Sequence, residues 1–329
     1  MKQIQTPVLF LVFNRPEKTE QTFAAIRKAA PTKLYVAIDA PRESRPDDVE
    51  NCNKVKKIVK NVDWPCETHY LIQEKNLGCT LSGKTAWDWF FQFEDRMIFV
   101  EDDGLASISA FYFVEAMLEK YKDEERIAYV GAVNYGPKFG EYSYFVSRFP
   151  SATYFMGTWK RVYRLYDYDM IGYANARKEA IYKNSFFSKK QKLLSEIIFK
   201  GYVNSVKTGH RQNTYDTQMN FLVHRNDMLT IYPNENMVKN IGLDYGANTD
   251  RRSVKDSSSV LYSELNMHDI DINSIKYMPK IEYSVMNDKV FYKERVLHNK
   301  LWIKVFLKAL LLRYFSTFYN KCIKPLRRH

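Results

Sequence analysis

Met97-Ile98-Phe99-Val100-Glu101-Asp102-Asp103 is an apolar run that stops abruptly on three consecutive acids. Four apolar residues between polar flanks read as a buried strand. Three adjacent acids cannot all be buried, because unpaired buried charge is very costly, so the strand delivers its carboxylates to a surface. On one reading the triplet is an acidic cap for the helix predicted from about Ser107 to Tyr121, with Asp102 or Asp103 satisfying free N–H groups and the helix dipole. On the other it is a ligand site, because α/β sheets bind ligands at the carboxyl ends of their strands.

The segments around this run support an α/β sheet. Pro7 to Phe13 is a second continuous apolar run, followed by Asn14-Arg15-Pro16-Glu17, where Pro16 suits the first turn of a helix reaching Ala29. Leu34 to Ile38 is a short apolar run ending at Asp39. A helix from Asp47 to about Lys60, a strand from Glu67 to Ile72 and a helix from Gly78 to Phe93 complete the alternation. Strands alternating with helices imply a mostly parallel sheet covered on both faces. Asn14, Arg15, Asp39 and Glu101 to Asp103 then converge on one sheet edge. Beyond Val130 the pattern is aromatic-rich and less regular. Ser147 to Trp159 reads as a loop feeding a helix, Lys189 to Phe199 and Asp216 to Val223 as helices, and Leu229 to Ile231 and Met237 to Ile241 as short strands. Asp244 to Ser259 reads as a mobile loop.

With 329 residues, 45% hydrophobic residues and 27% charged residues, the chain is a folded body rather than a collagen, a disordered tail or a disulfide mini-domain. Four scattered cysteines and six scattered histidines form no C-x-x-C or H-E-x-x-H pattern, which implies reduced thiols and no zinc site. The N-terminus lacks a signal-peptide layout, so the expected location is cytoplasmic. The net charge of +12 is uneven: every charged residue after Glu294 is basic, and those nine cations leave only +3 for the rest. A basic surface running over the whole molecule, as nucleic-acid binding would need, is therefore not expected.

A chemistry suited to the triplet is sugar transfer from a nucleoside diphosphate. A divalent hard cation held by one or two carboxylates neutralises the departing diphosphate, while adjacent carboxylates accept hydrogen bonds from ribose or sugar hydroxyls. In keeping with that, the chain resembles the GT-A family of glycosyltransferases, in the branch similar to N-acetylglucosaminyltransferase I and its bacterial relatives. The resemblance runs through Pro7-Val8-Leu9-Phe10 to Phe13-Asn14-Arg15-Pro16, Val36-Ala37-Ile38-Asp39, Glu74-Lys75-Asn76-Leu77-Gly78, Phe99-Val100-Glu101-Asp102-Asp103, Phe149-Pro150, Gly157-Thr158-Trp159, Tyr215-Asp216 and Pro233 to Gly242. These pieces keep their order over about three quarters of the chain.

The resemblance implies a Rossmann-like, mostly parallel central sheet flanked by helices. Residues 1–130 would bind the nucleotide sugar, residues 131–288 would form the acceptor-binding and catalytic half, and residues 289–329 would form a basic amphipathic tail. It implies that Asp103 ligates manganese (or magnesium), that Glu101 and Asp102 contact donor sugar and ribose, and that Arg15 and Asp39, with Asn14 beside them, help hold the nucleoside. Lys75 and Asn76 would touch phosphate or sugar, although a solvated turn suits them equally. Asp216 falls at the place of a general base for inverting transfer, with Tyr215 where a Trp usually stands; an N-cap for the following helix is its other reading. Trp159 is an acceptor platform or a core residue, and Asn134 lines the acceptor cleft or satisfies a turn. Arg251 or Arg252 would pair with diphosphate, and Asn248 or Asp250 would replace the His usual in that loop.

The implied activity moves a UDP-linked sugar, with N-acetylglucosamine favoured by the resemblance, to a hydroxyl of a glycan or lipid-linked glycan in surface polysaccharide synthesis. In the tail, Lys300, Lys304 and Lys308 share a helical stripe among bulky apolar residues. Spanning a membrane takes about 20 largely uncharged residues, so a helix lying on the anionic inner face of the cytoplasmic membrane is expected, the alternatives being a core-packed helix or an oligomer contact. Two other readings of the whole chain stand: an inactive binding protein of the same fold, and a nucleic-acid-binding protein using the tail.

Overall fold

The computed structural model describes residues 3–242 and 265–294, together with residues 303, 307 and 310. The Asp244–Ser259 loop with its Arg251 and Arg252, and the tail lysines at 300, 304 and 308, lie outside the described residues. The elements in chain order are β1 (Val8–Val12), α1 (Pro16–Ala29), β2 (Lys33–Ile38), α2 (Asp47–Lys60), β3 (Glu67–Ile72), α3 (Gly78–Phe93), β4 (Arg96–Glu101), β5 (Gly104–Ala106), α4 (Ile108–Lys120), β6 (Ile127–Gly131), β7 (Tyr144–Ser147) and β8 (Phe155–Trp159). They are followed by α5 (Lys160–Tyr163), α6 (Tyr173–Ala176), α7 (Ala180–Asn184), α8 (Lys189–Lys207), α9 (Asp216–Arg225), β9 (Leu229–Pro233), β10 (Val238–Asn240) and α10 (Val285–Tyr292).

Eight strands form one sheet in the order β3-β2-β1-β4-β8-β6-β9-β7. β1 pairs in parallel with β2 and β4, and β6 with β9, while β8 and β7 run antiparallel to their neighbours. The expected architecture, a mostly parallel central sheet flanked by helices, is the one the chain adopts. β1, β6 and β9 are buried along their whole length, which is why they read as continuous apolar runs rather than alternating ones. Pro16 opens α1, and Ala30 closes it in a left-handed conformation, with its N–H reaching the Ile26 carbonyl at 2.9 Å.

Two segments depart from expectation. Phe155–Trp159, read as a loop, is β8, wedged antiparallel between β4 and β6. Its sequence, Phe-Met-Gly-Thr-Trp, lacks a β-branched run, and its glycine is there for packing: a Cβ on Gly157 would stand 2.4 Å from Val114 of α4. Lys289, expected to open the tail, lies inside α10. Phe291 of α10 is in the core, and fully buried Asp288 accepts hydrogen bonds from the Ser147 hydroxyl and, at 2.7 Å, from the Tyr283 hydroxyl.

A smaller core lies under α6 to α9, built from Met170, Tyr173, Ala176, Tyr182, Phe199, Tyr202 and Phe221. His224 is buried beside it, stacked on Phe186 with ring centroids 4.0 Å apart and with Nδ1 3.0 Å from the Ser185 hydroxyl. Burial, helped by Arg148, pushes its pKa down to about 3. The unfolded chain therefore binds a proton that the folded chain refuses. The contribution to stability is complete above the unfolded value of about 6.5 and is lost toward pH 3 at about 1.4 kcal/mol per pH unit. Urea unfolding of wild type and His224→Phe between pH 7 and 4 should show the two stabilities converging as pH falls. Parallel curves would mean that the imidazole is charged in the fold.

Candidate active site

The parallel register pairs Leu11 of β1 with Glu101 of β4, so the residues following the two strands emerge side by side. The Arg15 guanidinium lies 2.8 Å from Asp103 Oδ2 and 3.3 Å from Asp102 Oδ1. Burial opposes its charge, but Asp102, Asp103 and Glu101 outweigh that and hold Arg15 firmly protonated. The Asp102 carbonyl accepts from Thr22 at 3.0 Å. Burial pushes the Asp102 carboxyl up to about 6, with Arg15 pulling it down and Asp103 pushing it up. Glu101 is raised well above the ordinary range by burial and then by Asp103, Asp216 and Asp102. The triplet is thus an acid cluster crossed by one arginine, and Asp102 and Asp103 do not serve as helix caps: the α4 cap position is Ser107.

Asp103 is held by its neighbours in the chain and from across the fold. β5, directly after it, pairs antiparallel with β10, and the Ile241 N–H donates to the Asp103 carbonyl at 2.9 Å. A Cβ on Gly242 would come within 2.2 Å of Asp103 Oδ2, so only glycine lets this strand end lie against the carboxylate. Among the described residues, buried Asp103 Oδ1 has no hydrogen-bond partner, which is costly for a carboxylate oxygen.

The N-terminus of α9 completes the edge. Tyr215 is buried edge-on to Trp87 and Phe99 at 5.2 and 6.2 Å, and its hydroxyl donates to Glu101. The next residue, Asp216, is exposed, and its carboxylate accepts from the Thr153 hydroxyl. The cap position of α9 is Tyr215, without a side-chain cap bond, so Asp216 sits in the first helical turn with its carboxylate turned to Thr153.

Asp39 has another task. Its carboxylate accepts from the N–H groups of Leu77 and Gly78 at 2.9 and 3.0 Å and from the Asn76 amide at 3.1 Å. Gly78, at φ 73°, supplies the left-handed turn that aims its N–H there. Burial raises the Asp39 pKa, and the backbone donors oppose that. Asp39 and Asn76 therefore fasten the entry to α3 while lining the cleft. Asn14 is turned away, donating to Asp48 at 2.5 Å. Lys75 is exposed, outside the residues that line the cleft. Trp159 is a core residue, with its indole N–H on the Leu118 carbonyl and Arg161 stacked on its face. Asn134 satisfies a turn, its side-chain oxygen accepting from the Gly136 N–H at 2.9 Å, while its amide donates across the fold to the Asn234 carbonyl at 2.9 Å.

Sequence reading passed over Arg42, whose guanidinium forks onto fully buried Asp48 at 2.6 and 2.9 Å and lies 5.4 Å over the Phe13 ring. Burial opposes the Asp48 charge, but Arg42 and Asn14 outweigh it and keep its pKa low. Its place three residues after Asp39 at the end of β2 was the available signal. Phe13, Arg15, Asp39, Arg42, Cys79 and Glu101 line a cleft of about 100 Å³, below the 300 Å³ or so at which ligand pockets begin.

Among the described residues, no three His, Cys, Asp or Glu side chains are arranged to hold a metal by themselves. A site built from one or two carboxylates plus substrate phosphates does not need three, and the orphaned, buried Asp103 Oδ1 fits such a ligand.

No protein-family model matches the chain, and no curated protein matches it by sequence. Distant structural similarity is found to TarS of S. aureus, residues 1–349, over 98% of this chain and 77% of that one, at 10% identity and a TM-score of 0.41. Similarity is also found to the mannosyltransferase PcManGT of Pyrobaculum calidifontis, solved with GDP-Man and Mn2+, over 68% and 70%, at 10% identity and a TM-score of 0.37. A UDP-glucose pyrophosphorylase complexed with UDP-glucose matches over 49% and 78%, at 10% identity and a TM-score of 0.30.

Proposed function

We propose that the chain is a GT-A-type, metal-dependent, inverting glycosyltransferase. The donor is a nucleoside-diphosphate sugar, a UDP-sugar by the sequence resemblance. The acceptor is a hydroxyl of a glycan or lipid-linked glycan. The observation that carries this reading is the meeting at one strand edge of Glu101 ending β4, Asp102 and Asp103 just after it, Arg15 capping α1 after β1, and Asp216 opening α9.

Asp103 would hold manganese or magnesium, with Asp102 beside it; the ion supplies charge neutralisation of the departing diphosphate. Arg15 leaves the acids for the diphosphate when donor enters, widening the cleft, and its fork suits phosphate oxygens. Glu101 accepts hydrogen bonds from donor hydroxyls and is kept in place by Tyr215. Asp216 takes the proton of the acceptor hydroxyl as that oxygen attacks the anomeric carbon and the bond to the diphosphate breaks, inverting the configuration. Thr153 aims the Asp216 carboxylate.

The tail places this body on the inner face of the cytoplasmic membrane. No helix among the described residues is long and apolar enough to cross a membrane. Ile303 and Leu307, helical and four residues apart, are exposed on one side.

The direct test is thermal shift with a panel of nucleotide sugars, each with and without manganese. One sugar nucleotide should raise Tm only when manganese is present. A panel without any manganese-dependent shift would overturn the reading.

A further inference from the structure

The charge of the chain is divided more sharply than a basic tail on a neutral body. Residues 160–211 carry twelve Lys and Arg against four Asp and Glu, a net of +8, so with +9 after Glu294 the remaining residues sum to −5. This second basic stretch comprises α5 to α8. Lys189, Leu193, Glu196, Lys200 and Lys207 of α8 recur at three-, four- and seven-residue steps and so share one stripe of the helix. Leu193 is 51% exposed there.

The neighbouring segment is locked beside that stripe. Arg177 pairs with Glu196 at 3.4 Å, and the Tyr173 hydroxyl donates to the Glu196 carbonyl at 3.1 Å. It contributes exposed Lys178 and Lys183, and Ile181 at 47% exposure. The face therefore mixes cations with large aliphatic side chains, and of its two acids Glu196 is paired with Arg177 while Glu179 is exposed. An anionic polymer in water would use the cations but gain nothing from Ile181 and Leu193. A lipid surface uses both, because cations are drawn to anionic headgroups and aliphatic side chains enter the boundary with the acyl chains.

We propose that the α6–α8 face around Ile181 and Leu193 lies on an anionic lipid surface, as a contact separate from the tail. The proposal deepens the membrane reading given above but rests on different residues, so the two fail separately. The test is flotation of the full-length protein with phosphatidylcholine vesicles, with and without phosphatidylglycerol. Wild type should float only with phosphatidylglycerol. Ile181→Glu combined with Leu193→Glu should lower partitioning about tenfold or more, Ile181→Ser combined with Leu193→Ser should lower it in the same direction, and Val49→Glu on exposed α2 should leave it unchanged.

The tail is varied in parallel as Lys300→Glu, Lys304→Glu and Lys308→Glu together. Loss of flotation in the face variants with the tail variant unaffected supports the proposal and removes the tail reading. Loss confined to the tail variant, or no flotation of wild type, overturns the proposal.

Discussion

Asp103→Ala should lower manganese-dependent turnover of the donor by at least about 100- to 1,000-fold, the usual cost of removing one preorganised partner of a charged transition state. The reason is local. Asp103 presents a buried oxygen with no hydrogen-bond partner among the described residues, and its other oxygen pairs with the Arg15 guanidinium at 2.8 Å. The fold should survive, because Arg15 keeps Asp102 as a partner and the backbone of Asp103 remains tied to Ile241. Rates of nucleotide release with and without manganese, beside a Tm, separate the two effects. Turnover within a few-fold of wild type at saturating manganese would remove Asp103 from the ligand role.

Asp216→Asn is the second large effect. A general base contributes about 10² to 10⁴ in rate, and the amide keeps the size of the carboxylate while losing its basicity. The Thr153 hydroxyl can still donate to the amide oxygen, so α9 should hold its place. Transfer to acceptor should fall by that factor while the thermal shift with donor and manganese stays near that of wild type. Donor binding that collapses together with transfer would mean that Asp216 holds the donor instead, as a part of the cluster with Glu101.

These expectations differ in how far the sequence alone could carry them. The first half was legible almost to the residue. β1, β2 and β4 are buried strands bounded by Pro, Asp and Glu, and their parallel pairing puts whatever follows each strand at one edge, so the acids and Arg15 were placeable without coordinates. The second half was less so. β8 sits between β4 and β6 with a glycine chosen for helix contact, and nothing in its own sequence marks it as a strand. Gly201 is buried inside α8 and hid that helix's extension to Lys207.

Which acids face the cleft was also a tertiary matter. Asn14 and Asp39 were placed at the right edge, but Asp48 claims the first and the α3 entry claims the second. Tyr215, noted only as a departure from Trp, turns out to tie α9 to Glu101. By itself the sequence determined the alternation of elements, the carboxylate triplet and the uneven charge, because each is written in a contiguous run of residues. Only the tertiary structure decided that Arg15 lies across the triplet, that an Asp103 oxygen has no hydrogen-bond partner among the described residues, and that Arg177 ties its segment beside α8. Those facts depend on residues far apart in the chain competing for the same donors and the same space.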